Sequence, residues 1–374
     1  MCDVPALRFP EFSDEWEKCL ISDFGMVITG NTPPTKDVDN YKDGIKLWAS
    51  PIDLGKSKWI YDTQTKLSVT GFEKTRKLPQ GAILVTCIGS TIGKMGMATC
   101  EMATNQQINS IITNSDNDKD FVYYAIESKF PKYLTSVAIQ AVPIISKSSF
   151  ERLPNIRTTL TEQKKIGRFL SLIDKRIETQ NKIIEKLETL IKGIRHKVFK
   201  QLRKDIGFNA TIGNILSFEQ PQRYIVSSAE YSNDDTFTPV LTANKAFILG
   251  YTTETDGIYG KGDCIIIDDF TLDCKYVSFP FKVKSSAIKI LTAKNKFILR
   301  YAYEYLKSLE LSTEEHKRHY IAEVQPHSCV LPDKNTLKTI ALVFENLACK
   351  LANEQSLVLI FNKQKQYLLS KMFI

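Results

Sequence analysis

Histidine is scarce in this chain, with four copies among 374 residues, and tryptophan scarcer still, with three. Three of the histidines, His316, His319 and His327, crowd near Cys329, and from histidines so placed no Ser-His-Asp constellation can be assembled. The eight cysteines, at 2, 19, 87, 100, 264, 274, 329 and 349, include no C-x-x-C pair. That spacing argues against a zinc ribbon and against a secreted disulfide framework, and predicts reduced thiols. Long apolar runs are missing too. The longest, such as Ala82–Val85 and Cys264–Ile267, fall far below the roughly 18 residues of a membrane helix. Near the N-terminus, Asp3, Pro5, Arg8 and Glu11 interrupt any signal-like apolar core, so the expectation is a cytoplasmic protein with no membrane association.

The composition is that of a globular protein, 43% hydrophobic and 25% charged, long enough for two or three domains. Its formal charge of +8 is unevenly placed. Residues 1 to 155 carry 17 basic and 18 acidic side chains, and residues 206 to 331 carry 13 and 15. The excess lies in residues 156 to 205, with 14 against 6, and 332 to 374, with 6 against 3. Net charge alone therefore does not identify a nucleic-acid binder, which would be expected to spread basic residues over its binding face.

Within these stretches two segments free of proline, 161 to 203 and 335 to 374, carry a shared pattern. Apolar residues recur in alternating steps of four and three at Ile166, Leu170, Ile173 and Ile177, break at Gln180, and resume at Ile184, Leu187, Ile191, Ile194 and Val198. A shift of 174 residues gives Ile340, Phe344, Leu347, Leu351, Glu354, Val358, Phe361, Lys365, Leu368 and Met372. The first polar member falls at the same place in both sets, and 17 of the 20 positions are apolar. This is the 3.5-residue period of a coiled-coil seam and predicts two long helices, with Gly193 a weak point in the first. A lone helix with such a seam cannot stay solvated, so the two are expected to pair antiparallel within one chain. Gln180 and Glu354 either fix the register or are tolerated at a leaky position.

Ahead of each helix lies a mixed α/β segment. The first opens on Leu20–Phe24 and the turn Thr29-Gly30-Asn31-Thr32-Pro33-Pro34, with strands at Ile45–Trp48 and Ala82–Thr86 and a short helix at Phe121–Ser128. The second opens on Thr211–Ile215, with Gly262–Ile266 paralleling Gly81–Val85 and a helix at Phe297–Leu309. The predicted fold is thus α+β: a mixed α/β domain at 1–155, a long helix at 156–205, a second mixed α/β domain at 206–331 and a second long helix at 332–374, as a pseudo-two-fold repeat.

This order of parts resembles the specificity subunit of type I restriction-modification enzymes. Gly30-Asn31-Thr32-Pro33-Pro34 is similar to that family's Gly-x-Thr-Pro turn, and Lys46-Leu47-Trp48 with Asp53-Leu54 to the strand that follows. Leu78–Val85, Gly89–Lys94 and Thr104-Asn105-Gln106-Gln107 resemble its central hairpin and Asn-Gln element. Leu153-Pro154 followed by Thr161-Glu162-Gln163-Lys164-Lys165-Ile166 resembles its entry into the first conserved helix, whereas after Leu331-Pro332 the second copy reads Asn335-Thr336-Leu337-Lys338 with no Glu-Gln pair. The resemblance implies a non-catalytic DNA-binding subunit whose two domains each read half of an interrupted site. It also implies helices that space the halves and dock two methyltransferase subunits, with two restriction subunits joining; S-adenosylmethionine, ATP and Mg then belong to those partners.

Candidate DNA contacts in the first domain are Thr32, Thr35, Lys36, Ser90, Thr91, Lys94, Gln106, Gln107, Ser146, Lys147 and Ser148. In the second they are Lys245, Lys261, Lys284, Ser285, Ser286 and the loop His316, Lys317, Arg318 and His319. Gln and Arg pair with adenine and guanine edges, while Ser and Lys more often hold phosphate; taken singly, each is also an ordinary surface residue. Gly89-Ser90-Thr91-Ile92-Gly93-Lys94-Met95 misses the phosphate-loop pattern by one residue between its glycines and by Met95 where Ser or Thr is needed, so a β-turn is expected there. Lys317 and Arg318 between the histidines disfavour a metal cation. Two rival readings stand beside the main one: a coiled-coil scaffold whose ends bind proteins, and an enzyme using the Gly89 loop.

Overall fold

The computed structural model describes residues 4–137, 143–243, 246–311 and 318–374. The chain divides into two compact units, Met1–Lys182 with Ser356–Ile374, and Ile183–Gln355. Among the described residues, no helix is long and apolar enough to cross a membrane.

The first unit begins with β1 (Glu17–Leu20), the single turn α1 (Ile21–Phe24) and β2 (Gly25–Thr29). There follow β3 (Lys46–Ala49), β4 (Trp59–Ile60), β5 (Lys66–Leu67), α2 (Val69–Glu73), β6 (Ile83–Thr86), β7 (Met95–Ala98), β8 (Ala103–Thr104) and β9 (Ile108–Thr113). It continues through α3 (Lys119–Val137), α4 (Lys147–Glu151) and β10 (Pro154–Arg157) into α5 (Leu160–Asp205). Strands order as β2-β9-β6-β7-β4 in one sheet and β5-β3-β8 in another, while β10 returns antiparallel to β1.

The second unit repeats this plan. It runs β11 (Ala210–Thr211), α6 (Ile212–Ile215), β12 (Ser217–Glu219), β13 (Thr238–Leu241), β14 (Ile248–Thr252), β15 (Cys264–Asp268), β16 (Cys274–Val277), β17 (Lys282–Val283) and β18 (Ile288–Thr292). Then come α7 (Lys296–Ser308), β19 (Ser328–Cys329) and α8 (Lys334–Met372). Its sheets read β12-β18-β15-β16 and β14-β13-β17, with β11 paired to β19. Matched in order, β2, β9, β6 and β7 correspond to β12, β18, β15 and β16, and β3, β5 and β8 to β13, β14 and β17. Gly81 and Gly262, each two residues before its strand, β6 or β15, both adopt positive φ (86° and 94°), the conformation glycine tolerates. The opening turns match as well: Asp23 Oδ2 accepts from the Leu20 N–H at 2.7 Å, and Asn214 Oδ1 from the Thr211 N–H at 2.9 Å.

All twenty seam positions are buried or half-buried. In the first unit Ile166 and Leu170 of α5 share a core with Leu368, Leu369 and Met372 of α8. In the second unit Ile191, Ile194 and Val198 share one with Leu337, Ile340, Phe344, Leu347 and Leu351. Low numbers on one helix meet high numbers on the other within each unit, which makes the pairing antiparallel. Gln180 is 8% exposed and Glu354 half-buried. Lys365, the cation that breaks the apolar pattern, is 9% exposed and pairs with Glu127 at 3.0 Å and Asp174 at 2.9 Å.

Several boundaries differ from expectation for local reasons. The helix expected at Phe121–Ser128 extends over Lys119–Val137 and contains Pro131, because its apolar face lies in the first core. The first long helix accommodates Gly167 besides Gly193. A Cβ at Gly167 would sit 2.5 Å from Asp118 Oδ1 and 2.8 Å from Phe121 N, so only glycine lets the start of α3 approach α5 this closely. Glu162 is fully buried against Arg8, which donates two bonds of 2.7 Å to its carboxylate. Gln163 Oε1 accepts from the Asp118 N–H at 2.9 Å. The Glu-Gln pair is thus an anchor for α3 and the N-terminal segment. In the second copy Leu337 is buried instead, and Asp333 caps α8 by accepting from Asn335 and Thr336 N–H groups at 2.9 and 3.2 Å.

Phe199 of α5 is fully buried, with rings of Tyr301, Tyr305 and Phe344 at 5.4, 5.2 and 6.4 Å. Phe199→Ala is expected to cost about 3–5 kcal/mol by cavity formation. Denaturant unfolding checks this, and a loss below about 1 kcal/mol contradicts the packing described.

Candidate nucleic-acid interface

The candidate residues of the first domain converge through backbone pairing. Gly30 N–H donates to Ile108 O at 3.1 Å and Asn31 N–H to Thr104 O at 2.9 Å, which seats the Gly30–Pro34 turn on the link between β8 and β9. A Cβ on Gly30 would lie 2.3 Å from the carbonyl oxygens of both Thr104 and Asn105, so glycine is required by the close approach. The same link holds the β6–β7 hairpin: Cys87 N–H donates to Gln107 O at 2.8 Å. The segment before α4 joins it, with Ile145 N–H donating to Cys87 O at 2.8 Å and Gly89 N–H to Pro143 O at 3.1 Å. Thr32, Ser90, Thr91, Gln106, Gln107 and Ser146–Ser148 therefore belong to one corner of the fold.

Within that corner Thr32 Oγ1 lies 2.5 Å from Gln106 Oε1. Thr35, Lys36, Ser90, Lys94, Gln106, Lys147 and Ser148 are exposed, and Thr91 and Gln107 half-buried. Exposed Ser146 instead serves as the cap of α4, accepting from the Ser149 N–H at 3.1 Å. The Gly89 segment is a hairpin turn, as expected: Gly93 N–H donates to Thr86 O at 2.9 Å, Thr86 N–H to Lys94 O at 2.9 Å, and Gly89 and Gly93 take positive φ. A phosphate loop leads into a helix, whereas this one leads into β7, so its amides are not splayed around an anion. Cys87 beneath it is buried, and burial pushes its thiol up to about 12, far from a reactive thiolate.

The second domain builds the matching corner. Lys284 N–H donates to Leu241 O at 3.1 Å just as Asn105 N–H donates to Ala49 O at 2.9 Å, so the link from Lys284 to Ala287, one residue longer, stands where Asn105-Gln106-Gln107 stands in the first copy. Asp269 N–H donates to Ala287 O at 2.7 Å, and His319 N–H to Asp269 O at 2.9 Å, mirroring the Cys87 and Ile145 bonds. Arg318, exposed, reaches Ser286 Oγ at 3.5 Å. Two candidates take other roles. His319 is 1% exposed with Nδ1 2.9 Å from Glu323, so its ring braces the segment from within instead of offering a donor at the surface. Lys261 is exposed but held in an ion pair with Glu219 at 2.9 Å. Lys245, His316 and Lys317 lie outside the described residues. Of the other potential metal ligands, Cys329 is buried in the second core and His327 is exposed.

Residues absent from the candidate set also shape the first corner. Arg76 is exposed; its N–H donates to Asn31 Oδ1 at 2.8 Å and its Nη1 to Thr29 O at 2.8 Å, which places a guanidinium beside the Gly30 turn. The run Lys74-Thr75-Arg76-Lys77 was the available signal. Lys74 is tied to Asp37 at 2.9 Å and Lys77 to Glu73 at 2.6 Å, leaving Arg76 without an ion pair among those the described residues form.

Away from that corner, a buried polar cluster joins the domain to its helices. Lys58 Nζ donates to Asp120 at 2.6 Å, Tyr124 Oη at 3.1 Å and Ser171 Oγ at 2.7 Å, and Tyr124 Oη donates to Asp174 at 2.5 Å. Burial pulls the Lys58 pKa down, against the attraction of Asp120, and pushes that of Glu127 up, against Lys365. Burial also acts to lower Lys365, but Glu127 and Asp174 outweigh it, and its pKa ends raised. Lys365→Met strands two carboxylates and is expected to cost roughly 3 kcal/mol. Glu127, its pKa already raised, favours folding in its protonated form and loses that contribution as pH rises through its folded value. The deficit of Lys365→Met should therefore be smaller at pH 5 than at pH 8 in thermal unfolding; a pH-independent deficit contradicts this.

Residues 13–189 match the family model described as the type I restriction modification DNA specificity domain. The chain is 44% identical over 142 residues to the specificity subunit of the type I restriction enzyme EcoR124I/EcoR124II of Escherichia coli, covering 36% of this chain and 35% of that one. It is 29% identical over 187 residues to the HindI specificity subunit of Haemophilus influenzae, covering 47% and 40% respectively. The matched stretch thus spans well under half the length of these relatives. In fold, the chain is similar to the S subunit of a type I restriction-modification system from M. genitalium, with a TM-score of 0.67 at 18% identity over 99% of both chains. The part of the chain that matches the specificity-domain model, residues 13–189, is just under half of it, and the relatives it is similar to are type I specificity subunits.

Proposed function

We propose that this chain is the sequence-specific DNA-binding subunit of a type I restriction-modification enzyme and has no catalytic activity itself. Each α/β domain, at 1–155 and 206–331, reads one half of a bipartite duplex site. The helices at 156–205 and 332–374 hold the halves apart and dock two methyltransferase subunits, with two restriction subunits joining that core. S-adenosylmethionine, ATP and Mg act on those partners, in the cytoplasm where the DNA is. The helix lengths suit a spacer. α5 has 46 residues, on the order of 70 Å at about 1.5 Å per residue, and one turn of DNA advances roughly 34–36 Å.

One observation carries the reading: the polar residues Gln106-Gln107 of the first half and Lys284–Ser286 of the second occupy the same link between equivalent strands. A structural repeat need not repeat its exposed polar loops, whereas two readers of one duplex would. Near-neutral domains are compatible with this when base edges supply specificity and partners supply part of the phosphate contact.

Replacing residues 206 to 331 with the corresponding segment of a relative of different specificity should change one half of the methylated motif and leave the other intact. Methylated adenines mapped across the genome of a host expressing the chimera with its methyltransferase give the readout. If both halves change, or neither does, the assignment of one half-site to each domain fails.

A further inference from the structure

The link between β8 and β9 contains a hydrogen-bond relay that sets the polarity of one exposed group. Gln107 N–H donates to Asn105 Oδ1 at 3.0 Å. A backbone amide can only donate, so that oxygen is an acceptor and the other end of the Asn105 amide is necessarily its NH2. Asn105 Nδ2 then donates to Gln107 Oε1 at 3.0 Å, which in turn fixes the Gln107 amide with Oε1 inward and Nε2 outward. Asn105 is 7% exposed and Gln107 half-buried. Among the described residues no acceptor is hydrogen-bonded to Gln107 Nε2. It faces the turn at Gly89, 3.7 Å from where a Cβ on that glycine would sit, and Gly89 itself takes a φ of 94°. A larger residue there would bring a side chain up against the amide.

We infer that Asn105 is a positioning residue that presents Gln107 to DNA as a fixed hydrogen-bond donor, to be met by an acceptor on the duplex. This rests on the reading of the corner as a DNA interface. Phosphate oxygens and the acceptor edges of purines or thymine share the required chemistry. A glutamine free to rotate would serve donors and acceptors alike, whereas the relay removes that freedom before DNA arrives, so its ordering entropy is spent in folding. The second copy keeps the turn without the polarity lock, since Ser285 Oγ accepts from the Ala287 N–H at 3.4 Å and a hydroxyl rotates.

Asn105→Asp tests the relay with almost no change in shape. One carboxylate oxygen still accepts from the Gln107 N–H, but the other can no longer donate. The Gln107 amide must then turn over, placing Nε2 on the aspartate and Oε1 toward DNA. The measurement is the affinity of the full chain, assembled with its methyltransferase subunits, for a duplex bearing the site mapped in cells. Gln107→Ala and Asn105→Asp are each expected to weaken binding about tenfold, the loss of one hydrogen bond to a charged or well-placed acceptor. The double variant should bind no more weakly than Gln107→Ala, because Asn105 acts only through Gln107. Gln107→Glu should lose more than Gln107→Ala, since it sets a negative oxygen where the donor stood. Motif mapping of Gln107→Ala separates the acceptors: one relaxed base pair in a half-site marks a base edge, and an unchanged motif with weaker binding marks a phosphate. The inference is overturned if Gln107→Ala binds as tightly as the unaltered chain, or if the two single losses multiply. Failure of the unaltered assembly to bind the mapped duplex would instead overturn the DNA-interface reading itself.

Discussion

An apolar seam running the length of α5 needs a partner, because 46 residues of helix with one greasy stripe would otherwise face water. Within each unit that partner is a stretch of α8, running the opposite way, and each domain core is continuous with the seam beside it. Ile166 and Leu170 belong to the core that holds Phe121 and Tyr124 of α3, and Phe199 to the core that holds Tyr301 and Tyr305 of α7. Helix pairing and domain packing are therefore one hydrophobic event in each unit. Leu337 takes this furthest, being buried where the first copy has Gln163.

Where the seam turns polar, the chain compensates locally. Lys365 sits at a position the 3.5-residue period reserves for an apolar side chain, yet two carboxylates from α3 and α5 meet it, and Lys58 with Tyr124 completes the cluster. Buried ion pairs contribute little net stability against a well-packed apolar alternative, but they penalise misplacement heavily, since any shift strands a charge. Such a cluster defines how the first domain seats on its helices more sharply than leucines would.

Much of this was legible in the sequence because period and repeat are properties of the chain itself. The twenty seam positions, the paired opening turns at Leu20 and Thr211 and the central strands at Ile83 and Cys264 all follow from spacing. Motifs with a backbone cause were equally visible: Gly30 is glycine because two carbonyls crowd it, and the Gly89 segment is a hairpin because β7 follows it. Pairwise side-chain choices were not. Whether His319 faces outward or inward depends on Glu323 and on the packing around Tyr320, and Lys261 is spent on Glu219, a partner 42 residues away. Arg76 escaped notice for the converse reason, since what matters there is its bonds to Thr29 and Asn31, more than forty residues away.

The proposed function requires the two helices to act together as a spacer between two readers. Seven residues inserted at matching points of α5 and α8 preserve the seam's phase and add about 10 Å to each helix. Sequencing of methylated adenines in a host carrying that chain and its methyltransferase should show both half-sites unaltered in bases and separated by a longer run of unread base pairs. A motif whose gap stays the same while methylation persists would contradict the account.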